Sequence, residues 1–203
     1  MSIFLPMTRQ FLMRTIIITV VLGVAATVVA NPVVTEEDLG RFSSDDATFR
    51  VVRVVDGLNE PWSFVFLPDG DALVTERTGG LWLVSGNSVA AVSGAPDVAA
   101  VEQGGLLDLA LDPDFPSNRL VYMSFSDRYD FGVGTAVARG RLDGRRLRDV
   151  EVIFRMDRSS TGGRHFGSRI VFGPDGMLYL TIGDRGDRDR AQNASDHAGS
   201  VLR

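Results

Sequence analysis

The stretch WSFVFLPDGDALVTER (residues 62–77) decides the fold class of this chain. Two short apolar runs with alternating side chains flank a Pro-Asp-Gly turn, a pattern typical of an antiparallel β-hairpin. The runs LWLVSG and SVAAVSG follow after further tight turns. Together these segments predict one antiparallel sheet of four short strands, and no stretch of the body shows the 3.6-residue periodicity of a helix.

The alternation also predicts which side chains of this sheet face the protein interior. In the first strand Trp62, Phe64 and Phe66 share one face, and we expect them to pack between sheets. In the second strand we expect Ala72 and Val74 to point inward.

The same pattern recurs in GLLDLALDPDFPSNRLVYMSFSD (105–127) and in SRIVFGPDGMLYLTIGD (168–184). The turn prolines Pro68, Pro113 and Pro174 are 45 and 61 residues apart. Periods of roughly 40–50 residues built from four strands are typical of β-propeller blades, and the longer interval then carries an insertion. The sequence therefore predicts an all-β protein with three blades of a propeller.

The repeats have one alternative explanation. A β-sandwich with coincidental turns is the alternative fold, because sandwiches also show turn signals every 8–12 residues. The segments GTAVARGRLDG and DVEVIFRM are predicted to be the outer strands of the second blade. Propeller rings typically close with four to eight blades, so we expect the chain to be the front portion of a longer protein or a truncated gene product.

The N-terminal segments differ from the body in composition. Residues 1–30 combine Arg9 and Arg14 with an uncharged apolar run that ends in small residues, which predicts a signal peptide cleaved after Ala30, with an uncleaved membrane anchor as the alternative. Either reading predicts a periplasmic or secreted protein. Residues 31–47 are predicted to be a solvated acidic lead-in, and residues 48–203 the partial propeller.

Composition excludes several classes of function. The net charge is −5 and the pI is about 5.0, which argues against a nucleic-acid partner. The chain has no cysteine, so disulfides and thiolate chemistry are excluded. All 21 basic residues are arginine, which excludes a Schiff-base lysine and a P-loop lysine.

The segment GGRHFGSRIVFGPDGMLYLTIGDRGDRD (162–189) holds the strongest candidate site. His165 precedes the innermost strand of the third blade, where a propeller's channel opens. Asp184 ends the next strand, and a hairpin brings these two ends to the same rim of the sheet. A carboxylate that fixes one imidazole nitrogen orients the other as a general base. The alternative is a histidine that only ties a loop together.

Three motifs resemble one known family. They are EQGGLLDLALDPDF (102–115), GGRHFGSRIVFGPDGMLYLTIGDRGD (162–187) and AQNASDHAGSVLR (191–203), and they are similar to soluble PQQ-dependent sugar dehydrogenases of the glucose/sorbosone dehydrogenase family, in particular the aldose sugar dehydrogenases. The resemblance implies a six-bladed propeller with bound pyrroloquinoline quinone (PQQ) and Ca²⁺, and oxidation of an aldose to its lactone. It also implies that electrons pass to a soluble acceptor.

The same resemblance implies roles for individual residues. His165 matches the catalytic base, Asp184 the carboxylate that supports it, and Gln103 a polar residue that reaches the sugar and the cofactor. The groups that hold the PQQ carboxylates and Ca²⁺ are implied to lie in blades beyond this chain, so no metal ligand is assigned and the fragment is expected to be inactive alone.

A related propeller that only binds carbohydrate or protein is the main alternative function, and a calcium-dependent lactonase is another, although its Glu, Asn and Asp ligand set is not evident. The run GDRGDRDR (183–190) does not fit an EF-hand, and its interleaved charges predict a solvated ion-pair network. His197 is predicted to be a structural loop residue.

Overall fold

A computed structural model describes residues 31–203. The predicted signal peptide or membrane anchor, residues 1–30, lies outside the described residues. Within 31–203, no helix is long and apolar enough to cross a membrane.

The described chain consists of a hairpin followed by three antiparallel sheets. The hairpin pairs β1 (Val33–Ser43) with β2 (Thr48–Asp56). The first sheet contains β3 (Pro61–Phe66), β4 (Ala72–Glu76), β5 (Leu81–Ser85) and β6 (Ser88–Ala91). The second contains β7 (Leu106–Leu111), β8 (Leu120–Tyr129), β9 (Gly132–Asp143) and β10 (Arg146–Arg155), with the single-turn helix α1 (Phe115–Asn118) between β7 and β8. The third contains β11 (Ile170–Phe172), β12 (Leu178–Thr181) and β13 (Val201–Leu202).

Each sheet is a meander in which sequence neighbours pair, and the first strands of the three sheets lie side by side. Strand β7 contacts both β3 and β11, so the three innermost strands lie next to one another, as in consecutive blades of a propeller. The two predicted outer strands of the second sheet are present as β9 and β10. The repeats at 45 and 61 residues therefore correspond to three consecutive sheets, as the sequence predicts.

The acidic segment 31–47 is not irregular, because most of it forms β1. Its side chains are nevertheless largely exposed, as expected for a charged segment. Since β1 pairs with β2, the hairpin spans the predicted boundary between the lead-in and the propeller.

The predicted inward orientation in the first sheet is wrong for four of the five side chains named above. Phe64 and Phe66 are 61% and 68% exposed, and their cross-strand partners Val74 and Ala72 share that outer face. The side that packs against the second sheet carries fully buried Leu73. Alternation identifies which residues share a face, but it does not determine which of the two faces meets the next sheet.

Trp62 is the member of that aromatic set that does pack inside. It lies against the buried cluster of Leu107 and Phe166. The guanidinium of Arg169 covers its ring, 4.3 Å from the ring centroid. Trp62 thereby joins the first sheet to the beginning of the third.

Two apolar interfaces hold the sheets together. Between the first and second sheets the core includes fully buried leucine, methionine and phenylalanine side chains, among them Leu73, Leu106, Met123 and Phe125. Between the second and third sheets it includes Val137, Met156, Ile170 and Leu180. Full burial of each such side chain contributes about 1.5–3 kcal/mol, so these interfaces supply most of the favourable energy of stacking.

A buried carboxylate connects all three innermost strands. Asp108 of β7 accepts hydrogen bonds from Ser63 Oγ of the first sheet at 2.6 Å and from Ile170 N of the third at 3.0 Å. Arg169 Nη1 donates a third bond at 2.9 Å. The sequence reading missed Asp108, although a lone acid within the apolar run GLLDLAL was the available signal.

Buried hydroxyl groups make further links between sheets. Thr75 Oγ1 donates to the carbonyl of Leu107 at 2.7 Å, and Ser124 Oγ donates to the carbonyl of Ser168 at 2.6 Å. Both hydroxyls are fully buried, so each satisfies a carbonyl that has no access to water. These bonds fix the vertical register of one sheet against the next.

We expect Asp108→Asn to lower the free energy of unfolding by about 2–4 kcal/mol, because an amide cannot replace the charge-assisted bonds of a buried carboxylate. Urea unfolding followed by tryptophan fluorescence measures the change. Asp143→Asn is the matched control, because Asp143 forms an exposed pair with Arg148, and its unfolding midpoint should not move. Equal midpoints for both variants would contradict the role assigned to Asp108.

Candidate active site

The two residues predicted to form a catalytic pair are in contact. His165 Nδ1 lies 2.6 Å from Asp184 Oδ1. The imidazole is half exposed, with 50% of its side-chain surface accessible. Within residues 31–203 Nε2 has no hydrogen-bond partner, so it is open to a ligand while Nδ1 is held by the carboxylate.

Backbone packing brings the pair together. Strand β11 pairs with β12, so the residues before one and after the other end at the same edge of the third sheet. Gly183 allows the final approach, because a β-carbon at this position would collide with the carbonyl of His165. Asp184, the next residue, therefore reaches the imidazole ring directly.

Gln103 fixes the backbone of His165. His165 has a φ of 54°, a left-handed conformation that non-glycine residues adopt only at a cost. Its N–H donates to Gln103 Oε1 at 2.8 Å. The side chain of Gln103 thus stabilises the unusual conformation that directs the imidazole, a contact that the sequence reading did not anticipate.

The charge of Asp184 is well stabilised. Its hydrogen bond with His165, followed by one from Gly186 N at 2.8 Å, holds the pKa of the carboxyl below its usual range. The carboxylate is therefore ionised at neutral pH, and it can stabilise a positive charge on the imidazole.

A cavity of about 260 Å³ opens beside the pair. Its walls combine apolar rings and a leucine with two polar side chains; they are formed by Trp62, Gln103, Leu107, His165, Phe166 and Gly167. The three predicted site residues thus lie at one place, two of them lining the cavity and Asp184 immediately behind His165.

Phe166 is a fixed wall of this cavity. It is 3% exposed, and its carbonyl accepts a hydrogen bond from Thr135 Oγ1 at 3.0 Å. The guanidinium of Arg185 covers the ring, 3.6 Å from the centroid. Sequence reasoning missed both residues, because nothing in the local pattern shows that Arg185, within the charged run 183–190, turns inward to cover Phe166.

The prediction of a solvated ion-pair network at residues 183–190 is therefore wrong. Arg185 and Arg190 are 3% and 8% exposed. Positive φ angles at Arg185 and Gly186 turn the chain so that the Arg185 side chain points into the protein. The Arg185 guanidinium donates to the carbonyls of Gly162 and Arg164 rather than to the neighbouring acids.

Arg190 forms a buried ion pair with a residue outside that run. Its Nε and Nη2 donate to both carboxylate oxygens of Asp196, at 2.8 and 3.0 Å. The two-point contact lowers the pKa of Asp196 to about 2. The pair joins the loop after β12 to the segment that leads into β13.

The second histidine has a different environment. His197 Nδ1 accepts a hydrogen bond from Asp157 N at 3.1 Å, and its ring packs on Phe154. It does not line the cavity beside His165. Within the described residues no group of three or more His, Cys, Asp or Glu side chains is placed to hold a metal ion.

A model of the family described as "Glucose / Sorbosone dehydrogenase" matches residues 58–203. The chain belongs to this family. The match covers the three sheets together with the His165, Asp184 and Gln103 cluster, and the N-terminal hairpin lies outside it.

The chain is also similar to individual proteins. The chain is 41% identical over 174 residues to the Synechocystis protein slr1608, covering 76% of this chain and 42% of that protein. It is 40% identical over 163 residues to the aldose sugar dehydrogenase YliI of Escherichia coli, covering 77% and 44%. A solved structure of the PQQ-bound aldose sugar dehydrogenase of Streptomyces coelicolor is 33% identical and superimposes with a TM-score of 0.64, covering 72% and 44%.

The similarity confirms the predicted family and the all-β propeller fold. This glucose/sorbosone dehydrogenase family member spans less than half the length of the two curated relatives. Three consecutive sheets therefore represent part of the propeller.

We expect Asp196→Asn to destabilise the chain by about 3 kcal/mol at neutral pH, because it leaves the buried Arg190 charge without its partner. The pH dependence gives a second test. The folded pKa of about 2 lies below the ordinary value of 3.8. About 2 kcal/mol of stability is therefore present above pH 4 and is lost as the pH falls through 2.

Urea unfolding at pH 6, 4 and 2.5 checks both expectations. The stability difference between wild type and Asp196→Asn should narrow at the lowest pH. Asp189→Asn, an exposed acid in the same loop, is the control and should match wild type. A difference that stays constant with pH would refute the assigned role of the Asp196 carboxylate.

Proposed function

We propose that the chain carries the catalytic base of a PQQ-dependent aldose dehydrogenase, which oxidises an aldose to its lactone. The observation that supports the proposal best is the contact between His165 Nδ1 and Asp184, with Nε2 open beside a cavity. Family membership supports sugar oxidation, and the PQQ-bound structure of a similar protein supports this cofactor.

The residues that line the cavity suit a flat heteroaromatic cofactor and a polyhydroxy substrate. Trp62 packs against the buried cluster of Leu107 and Phe166, and all three residues line the cavity. Gln103 and His165 provide hydrogen-bonding groups on the same cavity. In this proposal the partly exposed Trp62 ring would contact PQQ, while the polar side chains would contact the reacting end of the sugar.

Each protein residue has a defined task in the reaction. His165 Nε2 accepts the proton of the anomeric hydroxyl as the C1–H bond breaks. Asp184 holds Nδ1–H, which fixes the tautomer and stabilises the imidazolium that forms. Gln103 holds the backbone of His165, so that Nε2 stays directed into the cavity. PQQ, when bound, supplies a quinone that accepts the hydride from C1.

Further elements of the proposal concern the whole protein. We propose that Ca²⁺ and the PQQ carboxylates are bound by parts of the protein other than residues 31–203, and that a soluble carrier outside the cytoplasm receives the electrons. The 203-residue chain alone is then expected to be inactive. The rival function is a propeller that only binds carbohydrate or protein, which has no need of an oriented, half-exposed imidazole.

A chimera tests the proposal. Residues 58–203 replace the equivalent part of E. coli YliI, whose remaining sequence supplies the rest of the propeller. We expect the chimera with PQQ and Ca²⁺ to reduce a dye in the presence of an aldose, and the 203-residue chain to show no turnover under the same conditions. A folded, PQQ-binding chimera without activity would favour the binding propeller.

In the same chimera, His165→Ala should lower kcat by at least ~100-fold, the usual scale for loss of a general base. His197→Ala is the matched control, because it removes a histidine that lies outside the cavity, and it should keep full turnover. Asp184→Asn should lower kcat less than His165→Ala, because the imidazole is retained. Near-normal turnover in His165→Ala would exclude the mechanism.

A further inference from the structure

A second cavity, of about 410 Å³, lies next to the first and has a different character. Its lining includes four arginine side chains together with serine, threonine and glycine residues of the loop 158–164; the arginines are Arg158, Arg164, Arg185 and Arg190. Asp187 is its one acidic lining residue. The cavity is therefore polar and rich in positive charge.

The four arginines around this cavity differ in whether they have a carboxylate partner. Asp196, which is buried beside the cavity, accepts hydrogen bonds from Arg190 and from Arg158 Nη1. Arg164 and Arg185 form no ion pair within residues 31–203. Of the four guanidinium groups, those of Arg158 and Arg190 thus have a carboxylate hydrogen-bond partner, while Asp184 acts on Arg185 only through its charge.

Arg185 is the least satisfied of these groups. Its two terminal nitrogens donate to backbone carbonyls, but its buried Nε has no hydrogen-bond partner. A buried guanidinium that lacks a carboxylate partner is costly, and the repulsion from Arg190 adds to that cost. Burial and this repulsion lower the pKa of Arg185 to about 10. An anion in the cavity would relieve both effects.

Within residues 31–203, Arg164 and Arg158 also have guanidinium N–H groups that form no hydrogen bond. Within the described chain, the guanidinium of Arg164 forms no hydrogen bond, and Nε and Nη2 of Arg158 form none. Several guanidinium donors around a small polar cavity suit a tetrahedral oxyanion, which accepts hydrogen bonds in several directions. Chloride or a single carboxylate would use fewer of these donors.

We propose that this arginine-lined cavity binds a phosphate group, either inorganic phosphate or the phosphate of a phosphorylated sugar. Arg164 and Arg158 supply the exposed donors, and Arg185 supplies a buried charge. The site is separate from the proposed catalytic cavity, but Arg185 covers one face of Phe166, whose ring lines that first cavity. The two cavities therefore share a wall.

Isothermal titration calorimetry of the 203-residue chain with inorganic phosphate, at constant ionic strength in chloride buffer, tests the site. We expect a Kd on the order of 0.1–1 mM that weakens with added NaCl. Arg164→Gln should weaken binding by about tenfold, the effect of losing a hydrogen bond to a charged group. Arg164 is exposed and makes no ion pair within residues 31–203, so this change should not unfold the chain. Arg158→Gln is a second variant that should also weaken phosphate binding, although it removes one of the bonds to Asp196.

Arg188→Gln is the matched control, because Arg188 is an exposed arginine of the same loop that does not line the cavity. It should bind phosphate within about twofold of wild type, and circular dichroism verifies that every variant is folded. Glucose 6-phosphate and glucose distinguish the two sources: tighter binding of glucose 6-phosphate than of phosphate assigns a sugar phosphate, and equal binding assigns free phosphate. No binding of phosphate by the folded chain, or equal affinity in Arg164→Gln and Arg188→Gln, overturns the proposal.

Discussion

The hydrogen bonds of Asp108 are the constraint on which the rest of the structure depends. A blade of a propeller has an apolar face on each side, and apolar packing alone does not fix how far one sheet slides along the next. Asp108 accepts bonds from Ser63 and Ile170, which belong to the sheets on either side of it. These directional bonds set the relative height of three innermost strands, and that height determines where the loops at their ends meet.

The candidate active site is a product of that alignment. Gln103 comes from the segment before the second sheet, and His165 and Asp184 flank the first two strands of the third. A shift of one residue between the sheets would separate Gln103 from the backbone of His165 by about 3.3 Å, the rise of one strand residue. The buried hydroxyls of Thr75 and Ser124 oppose such a shift. Stability of the stack and precision of the site therefore have the same origin.

Buried arginine connects this site to its surroundings. Arg185 lies between two cavities, with its guanidinium on the ring of Phe166 and its donors directed to loop carbonyls. Arg190 is held by Asp196 close by. The basic residues of this chain are all arginine. Inside this loop their planar guanidinium groups stabilise the structure, because they can stack on a ring and donate several hydrogen bonds at once.

The sequence by itself determined the class of fold, the three repeats and the His165–Asp184 pair, because each rests on local periodicity or on a hairpin that joins two nearby segments. Only the tertiary structure decided that Phe64 and Phe66 face outward, since alternation defines two faces and the neighbouring sheet chooses between them. The tertiary structure alone also decided the partners of Asp108, the hydrogen bond from the His165 backbone to Gln103 and the inward orientation of Arg185. Each of these depends on partners that are distant in the chain, and no local pattern of residues encodes which partner a side chain will meet.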